Sequence, residues 1–265
     1  MRKLYTIILV CNTLIALSQD KKIKTEERTF LNKENKITGF QLVEYDAAGR
    51  IISSKYFNGN KTLESSAIHE FDENGNPSKE INYDSEGKIE DFWNHYPDQN
   101  GNDTLLKYGF PKRNEYYFEK YKNTYDKENK LIKEERCQNN DTVNFVYVFS
   151  YNTKGEKTSM LSYLYEEPSE DFYYAYDNKG RLIEEKLFSP DDEGKQEINT
   201  IWQYEYADDN LLVKETVSSL ASYLEEKTVN IYTHQYKKKK KLVIEETELK
   251  NNVVEEKTKY KYTFY

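Results

Sequence analysis

The sequence predicts an all-β protein. It reads as a long antiparallel meander of β-hairpin repeats, laid out largely as a single twisted or curled layer, with a two-sheet sandwich or an open barrel as the alternative. Three observations carry this. A turn signature, Tyr-Asp-x-x-Gly followed by a cation and an aliphatic residue, recurs along the chain. The segments entering it place aromatic residues at every second position. The composition is poor in ordinary core residues but holds 25 Tyr and 12 Phe. Leu, Ile, Val and Phe make up about 22% of the chain, near the level at which a charged sequence stays disordered. Tyrosine offsets the deficit, because it buries a large ring while its hydroxyl stays at water. Long Lys and Glu side chains add to this by covering apolar surface with their stems.

The chain opens on a stretch with the pattern of an export signal. Arg2 and Lys3 precede the mostly apolar run Leu4–Leu17, and Ala16-Leu17-Ser18 is a small-x-small cleavage pattern before Gln19. The run is short for a membrane helix, so no membrane span is expected once residues 1–18 are removed. Cys11 follows Val10, too bulky for a lipoprotein cleavage site, so the expected product is free rather than lipid-anchored. Residues 19–265 are then one exported domain, periplasmic, cell-surface or secreted. The net charge is −8, and loss of Arg2 and Lys3 makes it more acidic, which argues against nucleic acid as a partner. Cys137 is the one thiol left, so no internal disulfide framework is expected. No base in its neighbourhood marks it as an activated nucleophile.

The turn signature has a mechanism. In Tyr176-Asp177-Asn178-Lys179-Gly180-Arg181-Leu182 the Asp177 carboxylate can accept backbone N–H groups two residues on. Asn178 and Lys179 suit a type I turn, and Gly180 supplies the left-handed residue that closes a three-residue loop with a bulge. Asp177 then faces Arg181 and Tyr176 faces Leu182. Tyr45-Asp46…Gly49-Arg50-Ile51 and Tyr83-Asp84…Gly87-Lys88-Ile89 are full copies. Phe71-Asp72…Gly75-Asn76-Pro77 keeps the turn. Tyr125-Asp126…Asn129-Lys130-Leu131, Tyr206…Asn210…Leu212 and Leu31…Asn35…Ile37 put asparagine at the left-handed site. Asparagine is the next most tolerant residue there. Tyr151-Asn152…Gly155 and the lysine-filled Tyr236…Leu242 are weaker.

These residues resemble the YD-repeat, or Rhs-type repeat, whose core is Tyr-Asp-x-x-Gly-Arg-Leu. The resemblance covers most of the chain after residue 18. It implies an extracellular or envelope β-rich protein, in some members a shell around a toxin, in others a surface-binding or carbohydrate-binding protein. This chain is far shorter than the shell-forming members.

The remaining elements follow from the turns. Successive signatures from Tyr125 to Tyr236 stand 25 to 30 residues apart, room for two strands and two turns per unit. The second turns are Asn58-Gly59-Asn60, Asn139-Asn140-Asp141, Glu166–Asp171 and Ser189–Lys195. Entering strands carry aromatic rows: Phe145, Tyr147, Phe149 and Tyr151; Phe172, Tyr174 and Tyr176; Trp202, Tyr204 and Tyr206; Tyr232, His234 and Tyr236. Val146 and Val148 on the opposite side of the first of these suit a strand covered on both faces. Segments leaving the turns, such as Leu182–Lys186, begin apolar and become charged, and are too short for isolated helices. Glu90–Tyr117 breaks the period and reads as an insertion or a degenerate repeat, the kind of irregular segment that often carries binding.

Little in the sequence points to catalysis. His69, His95 and His234 lack metal-ligand spacing. Asp98, Asn100, Asn102 and Asp103 resemble a calcium loop but lack its distal glutamate. No nucleophile elbow, phosphate loop or dinucleotide fingerprint is present. No cofactor or metal is therefore expected. The expected function is non-catalytic: an exported repeat protein that binds an unidentified protein or carbohydrate partner at the bacterial envelope or cell surface. A structural piece of a repeat shell is the first alternative and a glycan-active enzyme the remote one. The candidate binding face is Tyr174, Trp202, Tyr204, Tyr232 and Trp93, whose rings offer stacking platforms. Lys237–Lys241 is a second candidate, as an anion-contact patch.

Overall fold

The computed structural model describes residues 22–139, 141–191, 193–220, 228–239 and 242–264. The expected export signal, Met1–Ser18, lies outside the described residues. The first third of the chain forms β1 (Ile23–Asn32), β2 (Ile37–Tyr45), β3 (Ile51–Asn58), β4 (Leu63–Phe71), β5 (Pro77–Asp84) and β6 (Ile89–Pro97). Then come β7 (Asp103–Phe110), β8 (Glu115–Tyr125), β9 (Leu131–Gln138), β10 (Phe145–Tyr151), β11 (Lys157–Leu164) and β12 (Glu167–Tyr176). The last are β13 (Leu182–Pro190), β14 (Gln196–Tyr206), β15 (Leu212–Ser219), β16 (Thr228–Lys239), β17 (Leu242–Lys250) and β18 (Val253–Phe264).

The turns work as the residue chemistry requires. In the Asp177 turn the backbone N–H of Asp177 donates to the Arg181 carbonyl at 2.9 Å and that of Gly180 to the Asp177 carbonyl at 3.1 Å. One Asp177 carboxylate oxygen accepts the N–H groups of Lys179 and Arg181, and the other accepts Nε of Arg181 at 2.7 Å. Gly180 and Gly49 have φ of 78° and 88°, and Asn129 and Asn210 take the same region at 59° and 67°. The same bonds close the turns that begin at Asp46, Asp72, Asp98, Asp126 and Asn152. At Ala207 the backbone bonds persist without a side-chain acceptor.

Closure overturns the expected open layer. Every strand is antiparallel to its sequence neighbours, and β1 pairs with β18 as well as β2. The eighteen strands therefore form one closed barrel, neither an open or curled single layer nor a sandwich. The physical reason is the edge. A long meander leaves two rows of unpaired backbone groups, and joining the first strand to the last removes both. The join is specific: Thr25 and Thr263 share a hydroxyl hydrogen bond, and Lys261 pairs with Glu27 at 3.1 Å.

Closure also sorts the repeats. The turns after β2, β4, β6, β8, β10, β12, β14 and β16 lie at one rim, and the remaining hairpins lie at the other. The turn at Asp98–Asn102 falls in the first series, between those at Asp72 and Asp126, so Glu90–Tyr117 is not an insertion. The apparent gap came from counting Tyr83-Asp84-Gly87, and Leu31…Ile37, with the wrong series: both belong to the opposite rim. The lysine turn is also shifted. Tyr236 pairs with Glu246 rather than Leu242, and the hairpin runs on to Lys239 opposite Leu242.

Neighbouring units are tied along the first rim. The Tyr151 hydroxyl donates to the Leu131 carbonyl at 2.8 Å and that of Tyr236 to the Leu212 carbonyl at 2.7 Å. The Arg50 guanidinium lies 4.4 Å over the Phe71 ring, and that of Arg181 5.0 Å over Tyr206. At these places one unit covers the aromatic residue of the next, a cation–π and hydrogen-bond stitch that recurs along the sheet.

The two faces of the wall follow from the pairing. Glu26, Val43, Leu106, Ser162, Thr200 and Thr258 are buried and lie on one face by register. Ile68, Tyr116, Tyr173, Ile198, Val229 and Ile231 lie on the other and are exposed. Side chains converge inside a barrel and diverge outside it, so the first face is the inner wall. Val146 and Val148 point outward, and among the described residues no second layer covers them. A barrel of eighteen strands is too wide for its inward side chains to fill, which accounts for the short roster of buried apolar residues: Leu31, Val43, Tyr45, Leu106, Leu211 and Val243.

Candidate binding surface on the inner wall

All five candidate ring residues point inward. Tyr174 pairs with Glu185, and Glu185 with Trp202. Tyr204 pairs with Glu215, and Glu215 with Tyr232. These residues make two adjacent rungs across β12 to β16, each an aromatic ring, a carboxylate and another ring. Trp93 stands elsewhere on the same wall. It stacks on Tyr108 with ring centroids 4.5 Å apart, and Tyr108 on Tyr117 at 5.3 Å, a three-ring platform across β6, β7 and β8. The structure therefore does not bring all five into one patch. It gives a Trp202 sector and a Trp93 sector.

The alternation that makes the aromatic rows also sets their lining. With a bulge at each turn, the residue opposite Tyr174 is the second glutamate of Leu-Ile-Glu-Glu, and the same count places Glu215 opposite Tyr204. Burial, with Glu215 nearby, raises the Glu185 carboxyl above its ordinary value. Burial and Glu248 do the same to Glu215. Burial pushes the Tyr174 hydroxyl up to about 12, and raises that of Tyr204 as well. The site therefore carries reluctant negative charge framed by neutral phenols.

Beyond β16 the wall is a denser polar network. Glu246 accepts from the Tyr260 hydroxyl at 2.8 Å and contacts His234 Nδ1 at 3.1 Å. Its pKa is lowered: burial pushes it up, and the bonds from His234 and Tyr260 outweigh that. Glu26, 2% exposed, is held by Arg28 and by the Tyr45 hydroxyl at 3.3 Å. All three histidines face inward against carboxylates: His69 at 3.4 Å from Glu80, His95 at 2.8 Å from Asp103, and His234 on Glu246. Among the described residues no group of His, Cys, Asp and Glu is arranged to hold a metal ion. The calcium-like loop is consumed internally: Asp98 accepts the N–H groups of Asn100 and Asn102 and the Tyr125 hydroxyl.

The other candidates fall outside this wall. Lys237 pairs with Glu245 and Lys238 with Asp209, so these two lysines already have anionic partners, and residues 240 and 241 lie outside the described residues. The turn residues Tyr45, Asp46, Gly49, Tyr83, Asp84, Gly87, Tyr125, Asp126, Asn129, Tyr176, Asp177 and Gly180 build the rims. Sequence reasoning missed Glu185, Glu215, Glu134 and Arg136 as wall residues. The available signal was the register: once the bulge is counted, a charged residue falls opposite each inward ring.

The outer wall has its own gradient. Following paired residues from the first rim to the second, Thr263, Thr25, Glu44 and Ser53 give way to Ile68, Ile81, Phe92, Gly109 and Tyr116. Lys237, Glu245, Lys259 and Thr29 likewise give way to Phe40, Phe57 and Leu63. Outward ion pairs stand in the first-rim half, such as Lys214 with Glu205 at 2.6 Å and Lys133 with Glu135 at 2.9 Å, and other ion pairs, such as Arg113 with Glu115 at 3.9 Å, stand at the second rim. No described helix is long and apolar enough to cross a membrane, a statement that says nothing of strands.

No family model matches the chain, and no curated protein matches it. Among solved structures, it is similar to a porin-like protein from Bacteroides uniformis at 8% identity, covering 91% of this chain and 98% of that one, with a TM-score of 0.44. A porin-like protein from Bacteroides vulgatus is 11% identical over 92% of this chain and 99% of its own, at a TM-score of 0.38. The TcdB2-TccC3 structure is 11% identical over 83% of this chain and 15% of its own, at 0.35.

Proposed function

We propose that this chain is a non-catalytic exported barrel of the YD-repeat kind. It acts as an interaction module at the bacterial envelope or cell surface, and it holds an extended partner against its inner wall. The observation that carries this reading is the placement of Tyr174, Trp202, Tyr204 and Tyr232 on a concave face with no second layer over them among the described residues. Aromatic faces left on the inside of a wide barrel are not spent on a filled core, and they are available to a ligand. The same closure weighs against a shell segment that grows by adding strands, since no described strand is left with an unpaired edge.

The outer wall supports a module that does not cross a bilayer. A spanning barrel carries an apolar band about 25 Å tall. Here the outward apolar residues of a strand, such as Val229 and Ile231 or Phe40 and Leu42, stand two deep, roughly 7 Å from one to the next. The next outward residues are polar, Thr233 on β16 and Glu44 on β2.

Adjacent residues on β14 test the reading, because Gln203 points outward and Tyr204 inward. A photo-crosslinking amino acid placed at 204 in cells should capture a discrete partner that the same group at 203 does not. Capture from 203 and none from 204 would overturn the proposal.

A further inference from the structure

We propose that the inner wall from β12 to β16 receives the guanidinium groups of an extended, arginine-rich peptide. This narrows the inner-wall reading above and rests on it. The chain displays the mode with a residue of its own. On β8 to β10 the Arg136 guanidinium lies 5.2 Å over the Tyr121 ring and 4.5 Å over the Tyr147 ring. Its Nε donates to Glu134 at 2.6 Å. Arg136 is itself the residue paired with Tyr121, and Glu134, two residues earlier on β9, is paired with Asn123 and with Tyr147, so one guanidinium reaches rings on both neighbouring strands while its edge meets a carboxylate.

The same components, rings and a carboxylate, occur twice more on the wall, here with the carboxylate between two rings. Tyr174, Glu185 and Trp202 stand in this way on β12 to β14, and Tyr204, Glu215 and Tyr232 on β14 to β16. In these two copies no arginine of the described residues lies over the rings. The cations that face them are Lys157 toward Glu185, His234 toward Glu215 and Lys250, whose ammonium is 5.6 Å from the Tyr232 ring. Among the described residues none of the three forms an ion pair with Glu185 or Glu215. A planar guanidinium satisfies a frame of this kind better than an ammonium, since it stacks on a ring while its edge bonds a carboxylate.

Charge placement and spacing fit the same partner. Burial penalises the charged forms of Glu185 and Glu215, and an arriving cation relieves that penalty. Glu185 and Glu215 stand two strands apart and two residues out of line, about 12 Å, a distance that four residues of extended chain span.

The test titrates the full chain, carrying Trp93→Phe so that Trp202 alone reports, with hexa-arginine, hexalysine and hexaglutamate peptides. The expected result is a saturable change in Trp202 fluorescence with hexa-arginine, weaker binding of hexalysine and none of hexaglutamate. Glu185→Gln with Glu215→Gln should weaken hexa-arginine binding by about tenfold, since two half-buried charge pairs are lost. Glu205→Gln, on the outer wall, should leave it within about twofold. Denaturation curves confirm that each variant is folded. Hexa-arginine binding unchanged by the double variant would overturn the inference, as would equal binding of hexaglutamate. A neutral oligosaccharide that perturbs Trp202 equally in parent and double variant would overturn this inference and leave the inner-wall reading intact. Loss of the inner-wall reading itself would appear separately, as partner capture from position 203 and not from 204.

Discussion

Gly87→Ala isolates the backbone term on which the repeated turn depends. Gly87 has φ of 77°, and a Cβ built there meets nothing within 4 Å. The substitution therefore adds no clash and changes no contact. The left-handed conformation costs an ordinary residue about 1–2 kcal/mol, and alanine recovers roughly 0.4–1 kcal/mol by restricting the unfolded chain. The net loss is about 1 kcal/mol. For a chain of this size that is a fall in Tm of about 2–4 °C, read by thermal or urea unfolding followed by circular dichroism. Gly87→Asn should lose less than half as much, because asparagine already holds the same conformation at Asn129 and Asn210. Gly109→Ala is the contrasting case. A Cβ there would stand 2.7 Å from a Tyr116 ring carbon and 3.1 Å from the Glu115 carbonyl oxygen. Its cost is steric, and asparagine should make it worse. An alanine at 87 that leaves stability unchanged, or an asparagine there that costs as much as alanine, would refute the turn chemistry assigned to the repeats.

Two further outcomes follow from the wall and its closure. Glu215 has a folded pKa raised by burial and by Glu248, so its charged form opposes folding above that pKa. The opposition fades as pH falls through the folded value towards the ordinary carboxylate value. Glu215→Gln should therefore stabilise the barrel at pH 7 and lose that advantage at pH 4, in parallel urea titrations, and destabilisation at pH 7 would contradict the assignment. Deleting residues 23–32 removes β1 and exposes the edges of β2 and β18. The truncated chain should self-associate in sedimentation experiments, where the full chain stays at its own oligomeric state, and a well-behaved truncated monomer would show that closure is dispensable.

The hairpin signature was local, and the sequence alone located it. Asp177 carries its own acceptor oxygens, Gly180 its own backbone freedom, and Tyr176 meets Leu182 within seven residues of chain. Strand identity and the inward rows of Tyr174, Trp202 and Tyr204 follow from the same turns plus alternation. Three features were decided only by the tertiary structure, because each depends on residues far apart in sequence. The first is the pairing of β1 with β18, which converts an open meander into a barrel and fixes which face is concave. The second is the rim to which each turn belongs, which turns Glu90–Tyr117 from an interruption into an ordinary unit. The third is the inner lining, where Glu185 and Glu215 stand between rings on neighbouring strands, and where Arg136 displays the contact that a partner's arginine would make. A repeat names its own turns because turn energetics span a few residues, whereas closure depends on how the twist of every strand accumulates around the ring.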